Sequence, residues 1–258
     1  MTLASARGAR RWTSISLAVT IGILAAGCSS SSSPTAPVPN VPVSGGTSPA
    51  TANGGPVVQL PTAIDSTGRT DVTKRLQTFV STVPSGRVIR FRPGGRYRLD
   101  GTLVVSRRRQ LTFDGAGALI FASTRGDQNR SQFRVRGGSG ITFRNIKIKG
   151  ASANAGTGDN AYIPALAKQM GIRFEGVDGA EVDHVTITNV FGDFVYVGLD
   201  SKEVPSRNVW IHDSTFRSNG RQGVAVTSAT GVIIERNTFS DTRRSTVDLE
   251  PTGHRWTV

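Results

Sequence analysis

Residues 182–187 read Val-Asp-His-Val-Thr-Ile, residues 211–216 Ile-His-Asp-Ser-Thr-Phe and residues 234–239 Ile-Glu-Arg-Asn-Thr-Phe. Phe143-Arg144-Asn145-Ile146-Lys147-Ile148 fits the same frame, apolar at both ends with polar residues after the first. A second short strand recurs beside it as Ile172-x-Phe174, Val195-x-Val197, Val224-x-Val226 and Val247-x-Leu249. Its copies stand 23, 29 and 23 residues apart. The unit is therefore 23 residues, with six extra residues in the middle interval that fit a loop at Ser201 to Ser206. In the first series Ile148 and Ile187 lie 39 residues apart, the same unit with sixteen extra residues between Ala151 and about Leu166.

A unit this short, built of brief strands, cannot close a core alone, whereas stacked copies can. Each strand then pairs in parallel with its counterpart one coil away, at about 4.8 Å. The inward stacks become Ile172, Val195, Val224, Val247 and Phe174, Val197, Val226, Leu249. An antiparallel sandwich would ask for hairpin turns and no fixed unit length. Upstream, Ile89-Arg90-Phe91-Arg92, Tyr97-Arg98-Leu99, Leu111-Thr112-Phe113 and Phe133-Arg134-Val135-Arg136 also alternate, with no helices between them, which argues against βαβ units. The reading is an all-β parallel β-helix. Its one helix spans Asp71 to Val80, with Thr70 or Asp71 as cap and Pro84 and Gly86 as stop.

The N-terminus is a different kind of sequence. Arg7, Arg10 and Arg11 precede an apolar run from Ile15 to Ala26 that is too short for a spanning helix. The run ends in Leu24-Ala25-Ala26-Gly27-Cys28, which resembles a bacterial lipobox. That resemblance implies a signal peptide over residues 1–27, lipidation at Cys28 and an exported protein held on the outer face of a bacterial membrane. Cys28 is the only cysteine, so no disulfide forms within one chain. Residues 28–60, rich in Ser, Pro, Thr and Gly, read as a disordered tether, and 61–258 as the β-helix domain.

The net charge is +13, and removing residues 1–27 deletes three Arg and no acid, leaving +10. A basic surface favours anionic partners such as acidic polysaccharide or lipid head groups. Nucleic acid is not expected, because the chain is read as exported and aromatics are not interleaved as stacking platforms. Arg87, Arg90, Arg92, Arg96, Arg98, Arg107, Arg108 and Arg109 make a basic N-terminal region, read first as solvated outward faces, with docking on an acidic glycan or on lipid head groups as the alternative.

Two stretches carry a family resemblance. Thr70-Asp71-Val72-Thr73, a helix, then Pro84-Ser85-Gly86 through Pro93-Gly94-Gly95-Arg96-Tyr97 is similar to the N-terminal pattern of the pectate-lyase-like, right-handed parallel β-helix superfamily. Val72 departs from that pattern, where an acidic residue is common. Gly192-Asp193-Phe194-Val195-Tyr196-Val197-Gly198, then Arg221-Gln222-Gly223-Val224, then Val247-Asp248-Leu249-Glu250-Pro251 resembles a second run of such proteins. The resemblance implies a right-handed solenoid capped by its helix. It implies much less about reaction, because the fold hosts lyases, hydrolases, epimerases and adhesins.

Alternation assigns the outward side chains. One row of the second strand is Arg173, Tyr196, Ala225, Asp248, and the next is Glu175, Gly198, Thr227, Glu250. Asp193, Arg221 and Gln222 sit just before their strands. Asp248 and Glu250 are candidate catalytic carboxylates, able to work as an acid–base pair across a glycosidic bond or in β-elimination. Asp193, Tyr196, Arg221 and Gln222 are candidate substrate contacts, and Ca²⁺ is a candidate cofactor of an elimination. The functional expectation is a lyase- or hydrolase-type domain acting on or binding a polysaccharide. The alternative is a non-catalytic carbohydrate-binding or structural solenoid, for which the outward charges are a scaffold ladder.

His184 and His212 read as residues stacked at turns, and the three His show no zinc-ligand spacing, so no metal site is expected. Gly115-Ala116-Gly117 is a turn, and no phosphate-binding loop is found. The domain is expected to be a monomer. Either Trp256 and its neighbours fold over the last coil, or the chain is truncated relative to its family and has an open edge there.

Overall fold

A computed structural model describes residues 54–250. The strands form three sheets, each paired in parallel throughout. Sheet A runs through Val57–Gln59, Val88–Arg90, Arg109–Asp114, Ser139–Arg144, Asp178–Asp183, Ser206–His212 and Ala229–Glu235. Sheet B begins at Thr67–Asp71 and Arg96–Arg98, continues through Leu119–Phe121, Lys147–Lys149, Thr186–Val190 and Thr215–Asn219, and ends at Thr238–Ser240. Sheet C holds Leu103–Ser106, Phe133–Arg136, Ile172–Glu175, Val195–Gly198, Val224–Val226 and Val247–Leu249. The chain visits A, B and C in turn and then climbs one coil, as the repeat required.

The predicted stacks are in register. Ile172 pairs with Val195, Val195 with Val224 and Val224 with Val247, while Phe174, Val197, Val226 and Leu249 follow two residues on. Burial is complete in the middle coils, and Val247 and Leu249 of the last described strand are exposed. The core of the middle coils holds an aromatic cluster. Phe143 stacks on Phe113 at 5.0 Å, meets Phe133 edge-on at 4.9 Å and touches Phe174 at 6.0 Å. Such pairs add to the area that each ring removes from water.

In four successive coils sheet A passes to sheet B through one left-handed residue. Asn145, His184, Asp213 and Arg236 have φ of 53°, 50°, 48° and 51°. Asn, Asp and His accept this conformation more readily than other non-glycine residues. The sharp turn closes the coil without a long loop and stacks these four side chains on one edge.

The helix spans Thr73–Thr82, two residues later than the sequence pattern suggested. Its N-cap position is Val72, but Asp71 still serves the helix, since its Oδ1 accepts the Thr73 amide at 3.0 Å. Leu76 and Val80 face the core and close the first coil. The fold also starts earlier than expected. Val57–Gln59, inside the stretch read as tether, pairs with Val88–Arg90, and Leu60 is buried, because the first coil of sheet A needs a partner below it. The sixteen-residue insertion carries short 3-10 turns at Asp159–Ala161 and Pro164–Leu166. Residues 1–53 and 251–258, with the lipid-anchor reading at Cys28 and the end-cap reading at Trp256, lie outside the described residues.

Because the phenyl rings of four strands meet at Phe143, Phe143→Ala should destabilise the domain by about 3–5 kcal/mol. Urea unfolding measured against wild type checks this. A loss below about 1 kcal/mol would mean that the stack is not holding the central coils together.

Candidate functional site

Parallel register places each outward side chain against its equivalent one coil away. On sheet A this is managed by alternating charge. Arg90, Asp114, Arg144, Asp183, His212 and Glu235 occupy one row, and Asp114 accepts both Arg90 at 3.1 Å and Arg144 at 3.3 Å. Sheet C breaks the rule. Its rows run Val104, Arg134, Arg173, Tyr196, Ala225, Asp248 and, two residues on, Ser106, Arg136, Glu175, Gly198. Arg stacks directly on Arg, which costs energy unless another group neutralises the pair.

Glu175 is that group. Arg134 grips it with Nε to Oε2 at 2.8 Å and Nη2 to Oε1 at 3.0 Å, Arg173 Nη2 lies 2.6 Å from Oε1, and Arg136 Nε lies 3.5 Å from Oε2. Burial works to raise its carboxyl, but Arg134, Arg173 and Arg136 outweigh that and hold it below the usual carboxylate range. Glu175 is thus an ionised anchor without a proton to give.

Over these groups lies a cleft of about 370 Å³, lined by Arg107, Arg134, Arg136, Arg173, Tyr196 and Asp200 among others. Its volume is at the low end of ligand pockets, roughly 300–1,000 Å³. The Arg173 guanidinium lies 5.2 Å from the centre of the Tyr196 ring, and the Tyr196 hydroxyl bonds Thr227 Oγ1 at 2.8 Å. Gly198 makes room for that ring, since a Cβ there would meet the Tyr196 hydroxyl at 2.5 Å. One wall comes from the six-residue insertion. Asp200 Oδ1 accepts the amides of Lys202 at 2.8 Å and Val204 at 3.0 Å, which fixes the loop beside Gly176. Four Arg against Glu175 and Asp200 leave the cleft with two surplus positive charges.

The residues picked from sequence divide in two. Asp193, Arg221, Gln222, Asp248 and Glu250 form one polar cluster across the last three described coils. Arg221 donates to Asp193 Oδ2 at 2.9 Å and to Glu250 Oε1 at 2.7 Å. The Gln222 amide donates to Asp193 Oδ1 at 2.9 Å, and Gln222 Nε2 donates to Asp248 Oδ2 at 2.7 Å. Tyr196 belongs instead to the Arg cleft. Asp193 and Gln222, expected from sequence as substrate contacts, lie buried. Asp193 is 0% exposed and Gln222 6%, so both tie coils together from inside the turn.

Within this cluster two carboxyls are displaced. Burial pushes Asp193 up to about 6, against the pull of Arg221. Burial and a hydrogen bond with Asp248 raise Glu250, again against Arg221. Asp248 and Glu250 are half-buried and so keep part of their surface in solvent. The sequence reading placed Glu175 in an outward row and Arg107 in the basic region without joining them, and it read Arg134 and Arg136 only as strand residues. Following the row Tyr196, Arg173 one strand further down leads to Arg134, the signal that could have found them.

Asp193 gives a signed pH dependence. Its folded carboxyl binds its proton more tightly than an unfolded one, so this group's contribution is fully present below about pH 4 and is lost as pH rises through about 6. Relative to Asp193→Asn, wild type should therefore gain at most about 3 kcal/mol on going from pH 7.5 to 4.5. Parallel denaturation curves of the two proteins check this, and a pH-independent difference would mean that Asp193 keeps an ordinary carboxyl.

A family model described as "Right handed beta helix region" matches residues 105–243. No curated protein matches the sequence. Among solved structures, the chain is similar to PfbA, a surface adhesin of Streptococcus pneumoniae, at 12% identity and a TM-score of 0.41, over 68% of this chain and 60% of that one. It thus spans less than two thirds of the adhesin's length. It is also similar to jun a 1, the major allergen from cedar pollen, at 12% identity and a TM-score of 0.39, over 81% of this chain and 83% of that one. Coil by coil register, the alternation of three parallel sheets and the matched region agree: the chain belongs to the right-handed β-helix family.

Proposed function

We propose that the domain binds an acidic polysaccharide, a polyuronate or a comparably charged glycan, through the Arg cleft of sheet C. The carrying observation is the stacked Arg134 and Arg173, with Arg136, around Glu175, and Arg107 beside Asp200, so that four Arg face two carboxylates and two positive charges are left over. Guanidinium donors suit a carboxylate in both shape and charge. Tyr196 offers a ring for the sugar face, steadied by its bond to Thr227. The cleft's lining spans four successive coils, and Asp248 lies two strands above Tyr196, about 10 Å away. A chain of two or three sugars extending from the cleft reaches it. With the lipobox-like signal, the reading is a glycan-binding solenoid displayed on the outer face of the cell.

A second reading, catalysis, is favoured by the hydrogen-bonded Asp248 and Glu250 carboxyls, one of them raised. A raised carboxyl keeps a proton to donate, as a general acid must.

The wild-type chain should be retained on immobilised polyuronate and pass through a neutral glucan, with retention weakening as salt rises from about 50 to about 300 mM. Arg107→Gln combined with Arg136→Gln, both exposed at the cleft rim, should weaken binding about tenfold or more without loss of folding. A folded wild type that ignores every acidic glycan at low salt would overturn the proposal. Products that vanish in Asp248→Asn with Glu250→Gln, with binding intact, would establish the second reading.

A further inference from the structure

A second cluster, on the edge between sheets A and B, belongs to neither the Arg cleft nor the Asp193 network. The turn residues of two successive coils stack there as Asp183-His184 below His212-Asp213. Asp183 and His212 are cross-strand partners, and His184 and Asp213 occupy equivalent left-handed positions. The pattern is a checkerboard of two imidazoles and two carboxylates.

His212 sits at its centre. Its side chain is 93% buried, and its ring is covered by Trp210 with centroids 3.6 Å apart. Nε2 faces Glu181 Oε1 at 3.2 Å, and Glu181 is itself buried and held by the Thr142 hydroxyl at 3.1 Å. A carboxylate only accepts, so this contact places the ring hydrogen on Nε2. On its other side Nδ1 faces two further carboxylates. Asp213 Oδ2 lies at 2.7 Å and Asp183 Oδ1 at 3.7 Å. One ring nitrogen and two carboxylate oxygens thus converge from two coils, a donor set that a bound metal shares when Nδ1 carries no hydrogen.

We propose that Asp183, His212 and Asp213 form a binding site for a divalent transition metal of the zinc class. The three donor atoms lie within 4.8 Å of one another. Tetrahedral zinc with ligands at about 2.0 Å needs donors about 3.3 Å apart, so shifts below an ångström or so complete the set. Mixed nitrogen and carboxylate donors suit zinc, cobalt or nickel, whereas Ca²⁺ asks for oxygen alone. The Glu181 contact on the far ring nitrogen is the arrangement that fixes and strengthens a metal-bound imidazole. Arg236 holds Asp213 from the outer side, Nε to Oδ1 and Nη2 to Oδ2 at 2.9 Å each, and a carboxylate has lone pairs enough to serve both. His184 contacts Asp183 Oδ1 and steadies it from the solvent side. Asp183 and Asp213 are 25% and 30% exposed, so a fourth position stays open to water or to another ligand. The ligands come from positions 29 and 30 residues apart along the chain, which is why the spacing of His gave no sign of them.

The test uses the full chain stripped of metal with a chelator and titrated with Zn²⁺ or Co²⁺ alone. One equivalent should bind saturably, with Co²⁺ giving visible absorption bands of low coordination. Asp183→Asn and Asp213→Asn should each weaken binding about tenfold or more, His212→Gln about a hundredfold, and Glu181→Gln about tenfold. Circular dichroism establishes that each variant folds, and the two exposed Asp variants carry the test if His212→Gln does not. No saturable binding to folded wild type would overturn the proposal, and so would binding that survives both Asp substitutions. The Arg107→Gln, Arg136→Gln protein should bind the metal normally, so this site and the glycan cleft stand or fall separately.

Discussion

Parallel pairing with the coil above and below is the constraint on which everything else in this domain depends. A strand in a solenoid has no other hydrogen-bonding partner, so each residue meets its own structural equivalent at about 4.8 Å. Inside, that rule is favourable: Val stacks on Val and Phe on Phe, and the core closes without side chains from distant sequence. Outside, the same rule brings like charges together unless the sequence prevents it.

Sheet A prevents it by alternating Arg90, Asp114, Arg144 and Asp183. Sheet C does not, and stacks Arg134 under Arg173. Buried around Glu175, such a group costs desolvation that an apolar ladder would avoid. The contrast between two faces of one molecule separates scaffold from site more sharply than any single motif does. The left-handed turn residues obey the same stacking, and at Asp183 and His212 the coil repeat assembles donors instead of cancelling charges.

Much of the molecule was legible because a coil is nearly a local structure. A 23-residue interval, counted on apolar pairs, was enough to place Ile172, Val195, Val224 and Val247 in one stack. The two intervals that broke the count marked real insertions, one of which became a wall of the Arg cleft. What escaped was depth and pairing. Asp193 looks like any residue before a strand, and only the fold around it shows that its side chain is fully covered. Arg136 and Glu175 stand 39 residues apart, so nothing local links them.

The sequence by itself determined the repeat, the parallel register and the side of the strand on which each residue stands, because those follow from alternation and unit length. Only the tertiary structure decided which outward residues touch, which are covered and what charge survives. Those outcomes depend on side-chain reach between coils and on the loops packed over them, neither of which a periodicity encodes. For that reason the acidic pair at Asp248 and Glu250 was visible first, while the cationic cleft and the His212 cluster emerged only once the coils were stacked.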